Sequence, residues 1–137
     1  KLATIVRGSN EDFKNIFGAA SPQEAWEEVG KLSACMIYST GTTGVWVMTN
    51  SFSGQSPVKK ITPVSTLGAG DSFNAGLITA LYRDKIFSSD INKLGRQEWE
   101  KIISTAVDFA TEACLNYYNY IDLAFASKYR SASRFQI

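Results

Sequence analysis

The chain has 137 residues, of which 45% are hydrophobic and 20% charged, and its formal net charge is +1. These values are typical of one globular domain with a buried core, and they argue against an electrostatic nucleic-acid footprint or a membrane-surface patch. The sequence contains no apolar run long enough to span a bilayer and no histidine, which excludes triads, general bases and metal sites that need an imidazole.

The first half of the chain alternates short apolar runs with helical patterns. Ser21 followed by proline is a strong helix start, because it combines a capping hydroxyl with proline at the first helical position. The predicted elements are a strand over 2–6, a loop over 7–9, helices over 10–17 and 22–32, strands over 34–39 and 45–49, a loop over 50–57 and an exposed or edge strand over 58–61.

The second half of the chain is mainly helical. A turn of small residues, Gly68-Ala69-Gly70, leads into a helix that continues to about Arg83. The later predictions are a polar loop with short helical turns over 84–97, an amphipathic helix over 98–118, helix or irregular structure over 120–129 and a frayed end over 131–137.

This order of elements favours a layered α/β sheet with mixed strand directions. In such sheets, ligands bind beyond the carboxyl ends of the strands. Ser9, Ser39 and Ser65 each follow a predicted strand, so we expect the loops that begin there to meet at one edge of the sheet. Because the first residues already predict a buried strand, we also expect the chain to be a piece of a longer polypeptide.

The two cysteines, Cys35 and Cys114, lie in apolar surroundings and far apart in the sequence. We interpret both as small buried hydrophobic residues rather than as a disulfide or a reactive thiol. This use of cysteine is typical of a reducing compartment, and we expect a cytoplasmic protein.

The run Gly68-Ala69-Gly70-Asp71 is the most informative stretch of the sequence. Residues without bulky side chains let the backbone approach a ligand, and the first N–H groups of a helix have no partner inside it. Such a turn is suited to phosphate oxygens, and Asp71 at its rim could accept a proton from an attacking hydroxyl. The alternative is a simple helix start, where an aspartate is already favoured by the helix dipole.

The run Ser65-Thr66-Leu67-Gly68-Ala69-Gly70-Asp71 resembles the Asp-Thr-x-Gly-Ala-Gly-Asp signature of ribokinase-like (PfkB family) carbohydrate kinases. The resemblance implies a ribokinase-like three-layer αβα, Rossmann-like sandwich with a mixed, mainly parallel sheet. It also implies that residues 1–137 form the C-terminal, nucleotide-binding part of the kinase domain, without the N-terminal sugar-binding half and lid. By that likeness Gly68, Ala69 and Gly70 form an anion hole, and Asp71 is the base that deprotonates the sugar hydroxyl.

Two further segments take a nucleotide-binding role from the same resemblance. The run Thr40-Gly41-Thr42-Thr43-Gly44 is similar to the family's nucleotide-side loop, which implies that Ser39, Gly41 and Gly44 approach ATP. Taken alone, two glycines at this spacing are more often a hairpin turn. Asn119 could line the adenine pocket, whereas core packing is the better explanation for the neighbouring tyrosines.

Metal binding is the third expectation from the resemblance. Aligned on Phe13, the pair Ser9 and Asp12 takes the place of the family's Asn-x-x-Glu motif, which implies an indirect role for Asp12 in organising Mg²⁺. The alternative is a helix cap with an acidic first turn. Ser65 replaces the first aspartate of the signature, which removes a charge and places the family's monovalent-cation site in doubt.

The sequence thus predicts an ATP-dependent carbohydrate kinase that takes MgATP and a small sugar as partners, but no nucleic acid and no membrane. A homodimer is one expectation for the full-length protein, and little kinase activity is expected from this piece alone. Two alternatives stay open: a non-catalytic relative that senses a sugar or nucleotide, motivated by Ser65, and a kinase of a nucleoside or another small alcohol.

Overall fold

The computed structural model of the protein describes residues 3–130, which form two compact units. The first unit contains residues 3–58 and 87–100, and the second contains residues 59–86 and 101–130. Leu2, where the first strand was predicted to begin, and the predicted frayed end over 131–137 lie outside the described residues.

The first unit is built on a four-stranded sheet in the order β1-β2-β3-β4. Its elements are β1 (Ile5–Ser9), α1 (Asn10–Phe17), α2 (Pro22–Leu32), β2 (Cys35–Ser39), β3 (Val45–Thr49), β4 (Ser53–Ser56) and a short 3₁₀ turn at Ile91–Lys93. The expected α/β class with mixed strand directions is confirmed. The expectation of a mainly parallel sheet is wrong for the described residues, because only the β1–β2 pairing is parallel. The later strands are joined by short turns, which permit only antiparallel neighbours.

Two strand predictions in this unit are wrong in position. Residues 7–9 were predicted as a loop but belong to β1, because they pair in parallel with the end of β2. The edge strand is β4, inside the predicted loop 50–57, whereas residues 58–61 are in no strand. The Ser-Gly-Gln-Ser run of β4 lacks an apolar alternation, and its pairing with β3 makes it a strand.

Both helices of the first unit begin where their capping residues predict. The Ser9 hydroxyl accepts from the amide of Asp12, and the Ser21 hydroxyl accepts from the amide of Glu24. Phe13 on α1 stacks on Tyr38 of β2 with ring centroids 5.2 Å apart. The core that these helices cover against the sheet contains Phe13, Ala19, Ala25, Val29, Met36, Tyr38 and Met48.

The second unit is helical, with α3 (Ala69–Arg83), residues 101–114 of α4 (Arg96–Cys114) and α5 (Leu123–Arg130). Helix α4 ends before the predicted residue 118, because the side chain of Asn116 bonds both the carbonyl of Glu112, at 3.3 Å, and the amide of Tyr118, at 2.8 Å. Phe109 of α4 packs edge-on against Phe125 of α5, with centroids 5.2 Å apart.

Both cysteines are free and buried, as predicted. Burial raises the pKa of the Cys35 thiol to about 12, so its reactive thiolate is scarce at neutral pH. Within residues 3–130, none of the helices combines the length and apolar character that crossing a bilayer requires.

Gly76 lies where α3 meets α4. A Cβ at this position would lie 2.8 Å from the Cα of Ala106 and 2.9 Å from the Cβ of Phe109. The two helix backbones therefore approach more closely here than any side chain allows, and the position requires glycine.

Replacing Gly76 with valine should force the two helices apart and lower the free energy of unfolding by about 2 kcal/mol or more, in the upper range for overpacked cores. Denaturant titration would measure the loss. Asn74→Val is the matched control, because it introduces the same β-branched side chain at an exposed position of α3. Equal losses in the two variants would contradict the steric role of Gly76.

Candidate functional site

The carboxyl ends of β1 and β2 bring Ser9 and Ser39 side by side in the first unit. The two strands are parallel, and Ser9 is the register partner of Ser39. The Ser39 hydroxyl donates to the carbonyl of Gly8 at 3.3 Å and accepts from the Arg7 guanidinium at 3.3 Å. The expectation that these two loops begin at one edge of the sheet is therefore confirmed. Arg7, which no sequence motif selects, lies at the same edge.

Asp12 takes part in a complete capping box at the start of α1. Its Oδ2 accepts from the backbone N–H of Ser9 at 2.7 Å and from the Ser9 hydroxyl at 2.8 Å. These two bonds, the backbone one foremost, hold the pKa of the Asp12 carboxyl below its ordinary value of 3.8. The helix-cap alternative is thus realised, while the metal role stays a prediction. Nowhere between residues 3 and 130 do three or more carboxylate or thiol side chains gather into a metal-binding group.

The loop Thr40–Gly44 closes the hairpin between β2 and β3. The hydroxyl and the amide of Thr40 both donate to the carbonyl of Gly44, at 2.9 and 3.0 Å. Gly41 and Gly44 have positive φ angles of 61° and 137°, and a Cβ at Gly44 would lie 2.9 Å from the carbonyl oxygen of Ser56. The geometry of the turn therefore explains why both residues are glycine, and their approach to a nucleotide remains a prediction.

The glycine turn that precedes α3 belongs to the second unit. Gly68 is the N-cap residue with a φ of 78°, and no side chain among the described residues caps this end of the helix. The amide of Ala69 donates to the carbonyl of Thr66 at 3.3 Å. The amides of Gly70 and Asp71 occupy the second and third helical positions, where the helix itself supplies no acceptor. Within residues 3–130, neither amide has another hydrogen-bond acceptor.

The side chain of Asp71 is exposed at the mouth of this turn. Its carboxylate makes no hydrogen bond or ion pair with any other part of the chain that the structure describes. A carboxylate in this position is accessible to a hydroxyl group from outside and lies next to the positive end of the helix dipole.

The turn does not follow a strand, contrary to the sequence expectation. Between β4 and α3 the chain is irregular, and it is held instead by the C-terminal end of α4. The amides of Val64 and Ser65 both donate to the carbonyl of Cys114, at 2.8 and 3.3 Å. The entry to the glycine turn is therefore fixed by a helix end rather than by a sheet.

Asn119 lies against Gly68. It has a positive φ of 60°, and its Oδ1 accepts a hydrogen bond of 3.3 Å from the hydroxyl of Ser65. A Cβ on Gly68 would lie 2.7 Å from the carbonyl oxygen of Asn119. The sequence-predicted residues thus fall into two groups, with Ser9, Asp12, Ser39 and the hairpin glycines in the first unit and Gly68–Asp71 with Asn119 in the second.

Residues 1–124 match the family described as pfkB family carbohydrate kinase. The chain therefore belongs to the pfkB family of carbohydrate kinases. It is 30% identical over 97 residues to the Arabidopsis thaliana protein named "Probable fructokinase-7" and 28% identical over 83 residues to a fructokinase of Vibrio alginolyticus. These alignments cover 68% and 60% of the chain, but only 28% and 27% of the two relatives.

Solved structures share the fold. The chain superposes with a TM-score of 0.70 and 21% identity on aminoimidazole riboside kinase from Salmonella enterica, a complex with aminoimidazole riboside and an ATP analog. It superposes with a TM-score of 0.71 and 21% identity on a fructokinase from Vibrio cholerae with fructose, ADP and a calcium ion bound. These superpositions cover 93% and 91% of the chain and 42% and 40% of the respective neighbours, and they confirm the ribokinase-like α/β fold.

The capping box predicts a measurable pKa for Asp12. An NMR titration should give a value below 3.8, and Ser9→Ala should return it toward 3.8 because the hydroxyl donor is lost. Since the folded-state pKa is the lower one, the ionised carboxylate favours folding above pH 3.8, and this contribution disappears as the pH falls through the folded value. An unchanged pKa in the variant would contradict the role of the hydroxyl.

The close approach of Asn119 to Gly68 predicts a large loss of stability when Gly68 is replaced by alanine. Gly68→Ala should destabilise the protein at least twice as much as Gly18→Ala, as measured by denaturant unfolding. Both residues have a left-handed φ, 78° and 70°, so both variants carry a strain of about 1 kcal/mol. Only the alanine at Gly68 also meets a backbone atom, because a Cβ on Gly18 would have no atom of the described residues within 4 Å. Similar losses would show that the Asn119 segment moves aside without cost.

Proposed function

We propose that the protein containing this chain is an ATP-dependent carbohydrate kinase, and that residues 1–137 supply the C-terminal part of its kinase domain. The observation that carries the proposal is Asp71, an exposed carboxylate in the first turn of α3 beside amides without an acceptor in the described chain. Membership of the pfkB family supports the same activity. Fructose is the first substrate to test, since two relatives are named fructokinases.

In the proposed reaction, Asp71 accepts the proton of a sugar hydroxyl while the hydroxyl oxygen attacks the γ-phosphorus of ATP. A new P–O bond forms to the sugar, the bond from the γ-phosphorus to the bridging oxygen breaks, and ADP leaves with that electron pair. Gly68, Ala69 and Gly70 line the anion hole, and the amides of Gly70 and Asp71 donate to the oxygens of the transferred group. This arrangement suits phosphoryl transfer, which depends on positioning and electrostatic stabilisation.

The site residues of the first unit keep the roles that the sequence predicts. Ser39, Gly41 and Gly44 approach the nucleotide from the hairpin between β2 and β3. Asp12 is the candidate for an indirect contact with Mg²⁺, and it fits this role because its Oδ1 takes no part in the capping box. Mg²⁺ is commonly held by one or two carboxylates together with substrate phosphates, and when bound it neutralises charge on those phosphates.

The cysteines support the proposed cellular setting. Both are free and buried, which suits a reducing compartment, and we expect the kinase to act in the cytoplasm. A homodimer of the full-length protein remains part of the proposal.

A non-catalytic sugar or nucleotide sensor is the second candidate. Ser65 favours it, because its hydroxyl is bonded to Asn119 where the family signature carries a charged aspartate. The retained Asp71 favours the kinase, since a sensor has no need of a base at that position.

Asp71→Asn tests the assignment in the full-length protein. Loss of general-base assistance should lower the turnover number by about 10²- to 10⁴-fold. ATP affinity, measured by calorimetry, should stay nearly unchanged, because the amide donors remain. Asp122→Asn is the matched control, since Asp122 is exposed and only caps the start of α5. Undiminished sugar phosphorylation in Asp71→Asn would refute the role of Asp71, and nucleotide binding without any phosphorylation by the wild type would favour the sensor.

A further inference from the structure

The hydroxyl of Ser65 joins two loops of the second unit. It accepts a hydrogen bond of 3.2 Å from the amide of Leu67, which closes a turn at the start of the glycine-rich loop. The same oxygen donates a bond of 3.3 Å to Oδ1 of Asn119, which is 54 residues away in the sequence. One serine therefore orders its own loop and ties it to the segment that follows α4.

The two loops also meet through their main chains. The carbonyl oxygen of Asn119 would lie only 2.7 Å from a Cβ on Gly68, so the two backbones are in direct contact. Both residues have left-handed φ angles, 78° at Gly68 and 60° at Asn119. Glycine adopts this conformation freely, and asparagine is one of the few other residues that adopts it routinely. Asn119 thus supplies both the backbone conformation and the side-chain acceptor at this contact.

The amides that face the proposed phosphoryl group lie just beyond the same contact. Gly70 follows Gly68 by two residues, and within residues 3–130 no side chain caps this end of α3. The orientation of the amides of Gly70 and Asp71 therefore depends on the conformation of Gly68. Asn119 is the residue that packs against Gly68 and bonds to Ser65.

We propose that Asn119 is a positioning residue, which holds Gly68 through Ser65 and through its own carbonyl so that the amides of Gly70 and Asp71 remain directed at the transferred phosphoryl group. The inference rests on the proposed kinase function. It assigns Asn119 a task other than contact with adenine, since its Oδ1 is already bonded to Ser65. Asn119 acts on the reaction through the loop, not on the nucleotide.

The test uses four variants of the full-length protein and one control. Asn119→Gly keeps a residue that accepts the left-handed φ but removes the side-chain acceptor, and Ser65→Ala removes the donor. The double variant combines both changes, and Ser65→Thr retains a hydroxyl. Asn50→Gly is the matched control, because Asn50 is exposed in the turn between β3 and β4.

Kinetics with ATP and GTP distinguish positioning from base recognition. Asn119→Gly and Ser65→Ala should each lower kcat about five- to tenfold with little change in KM for ATP. The double variant should lose no more than Ser65→Ala alone, because Ser65→Ala already removes the bond to Asn119 together with the bond from the Leu67 amide. Ser65→Thr should recover most of the turnover. The preference for ATP over GTP should be the same in all variants.

Hydrogen exchange of the amides of Ala69 and Ser72, which donate to the carbonyls of Thr66 and Gly68, provides a readout that does not need activity. Exchange should be faster in Asn119→Gly and Ser65→Ala, as fast in the double variant as in Ser65→Ala, and unchanged in Asn50→Gly. Additive kinetic losses, unchanged exchange or an altered ATP preference confined to Asn119→Gly would overturn the positioning role while the kinase assignment stands. A wild-type protein that phosphorylates no sugar would overturn the proposed function, and the catalytic part of this inference with it.

Discussion

The carbonyl of Asn119 lies so close to Gly68 that no side chain fits between the two loops. This contact sets the direction in which the chain enters α3, and the hydroxyl of Ser65 adds a hydrogen bond beside it. The carbonyl of Cys114 holds the preceding residues by accepting from the amides of Val64 and Ser65. The candidate phosphate site is therefore built on the end of α4, and the contacts around it fix the loop while leaving the amides of Gly70 and Asp71 open.

In the first unit, strand pairing rather than a helix end brings polar groups together. Parallel pairing of β1 and β2 places Ser9 and Ser39 at the same level of the sheet. The carboxylate of Asp12 then returns to the backbone of Ser9, so one short segment both starts α1 and presents an acidic group at the strand ends. Structural and functional explanations of Asp12 do not compete, because the cap occupies one carboxylate oxygen and leaves the other available.

Local signals were sufficient for much of the fold. Capping at Ser9 and Ser21 predicted both helices of the first unit, since a cap is decided by residues within one turn. The edge strand Ser53–Ser56 was missed because its polar residues become a strand only by pairing with β3. The glycine turn and Asp71 could be found from composition and spacing. The bond between Ser65 and Asn119 could not, because it joins residues 54 positions apart.

Gly76 carries a consequence for the distant end of its helix. At Gly76 the backbone of α3 packs directly against α4, without a side chain between the two helices. Gly70 lies six positions before Gly76, which corresponds to a distance of about 9 Å along the helix at the rise of roughly 1.5 Å per residue. If α3 tilted by about 10° around Gly76, the amide of Gly70 would move by roughly 1.6 Å. A misplacement of about this size can lower the rate of an enzyme by about 10²-fold. The packing of this buried glycine therefore contributes to the orientation of the amides in the first turn of α3.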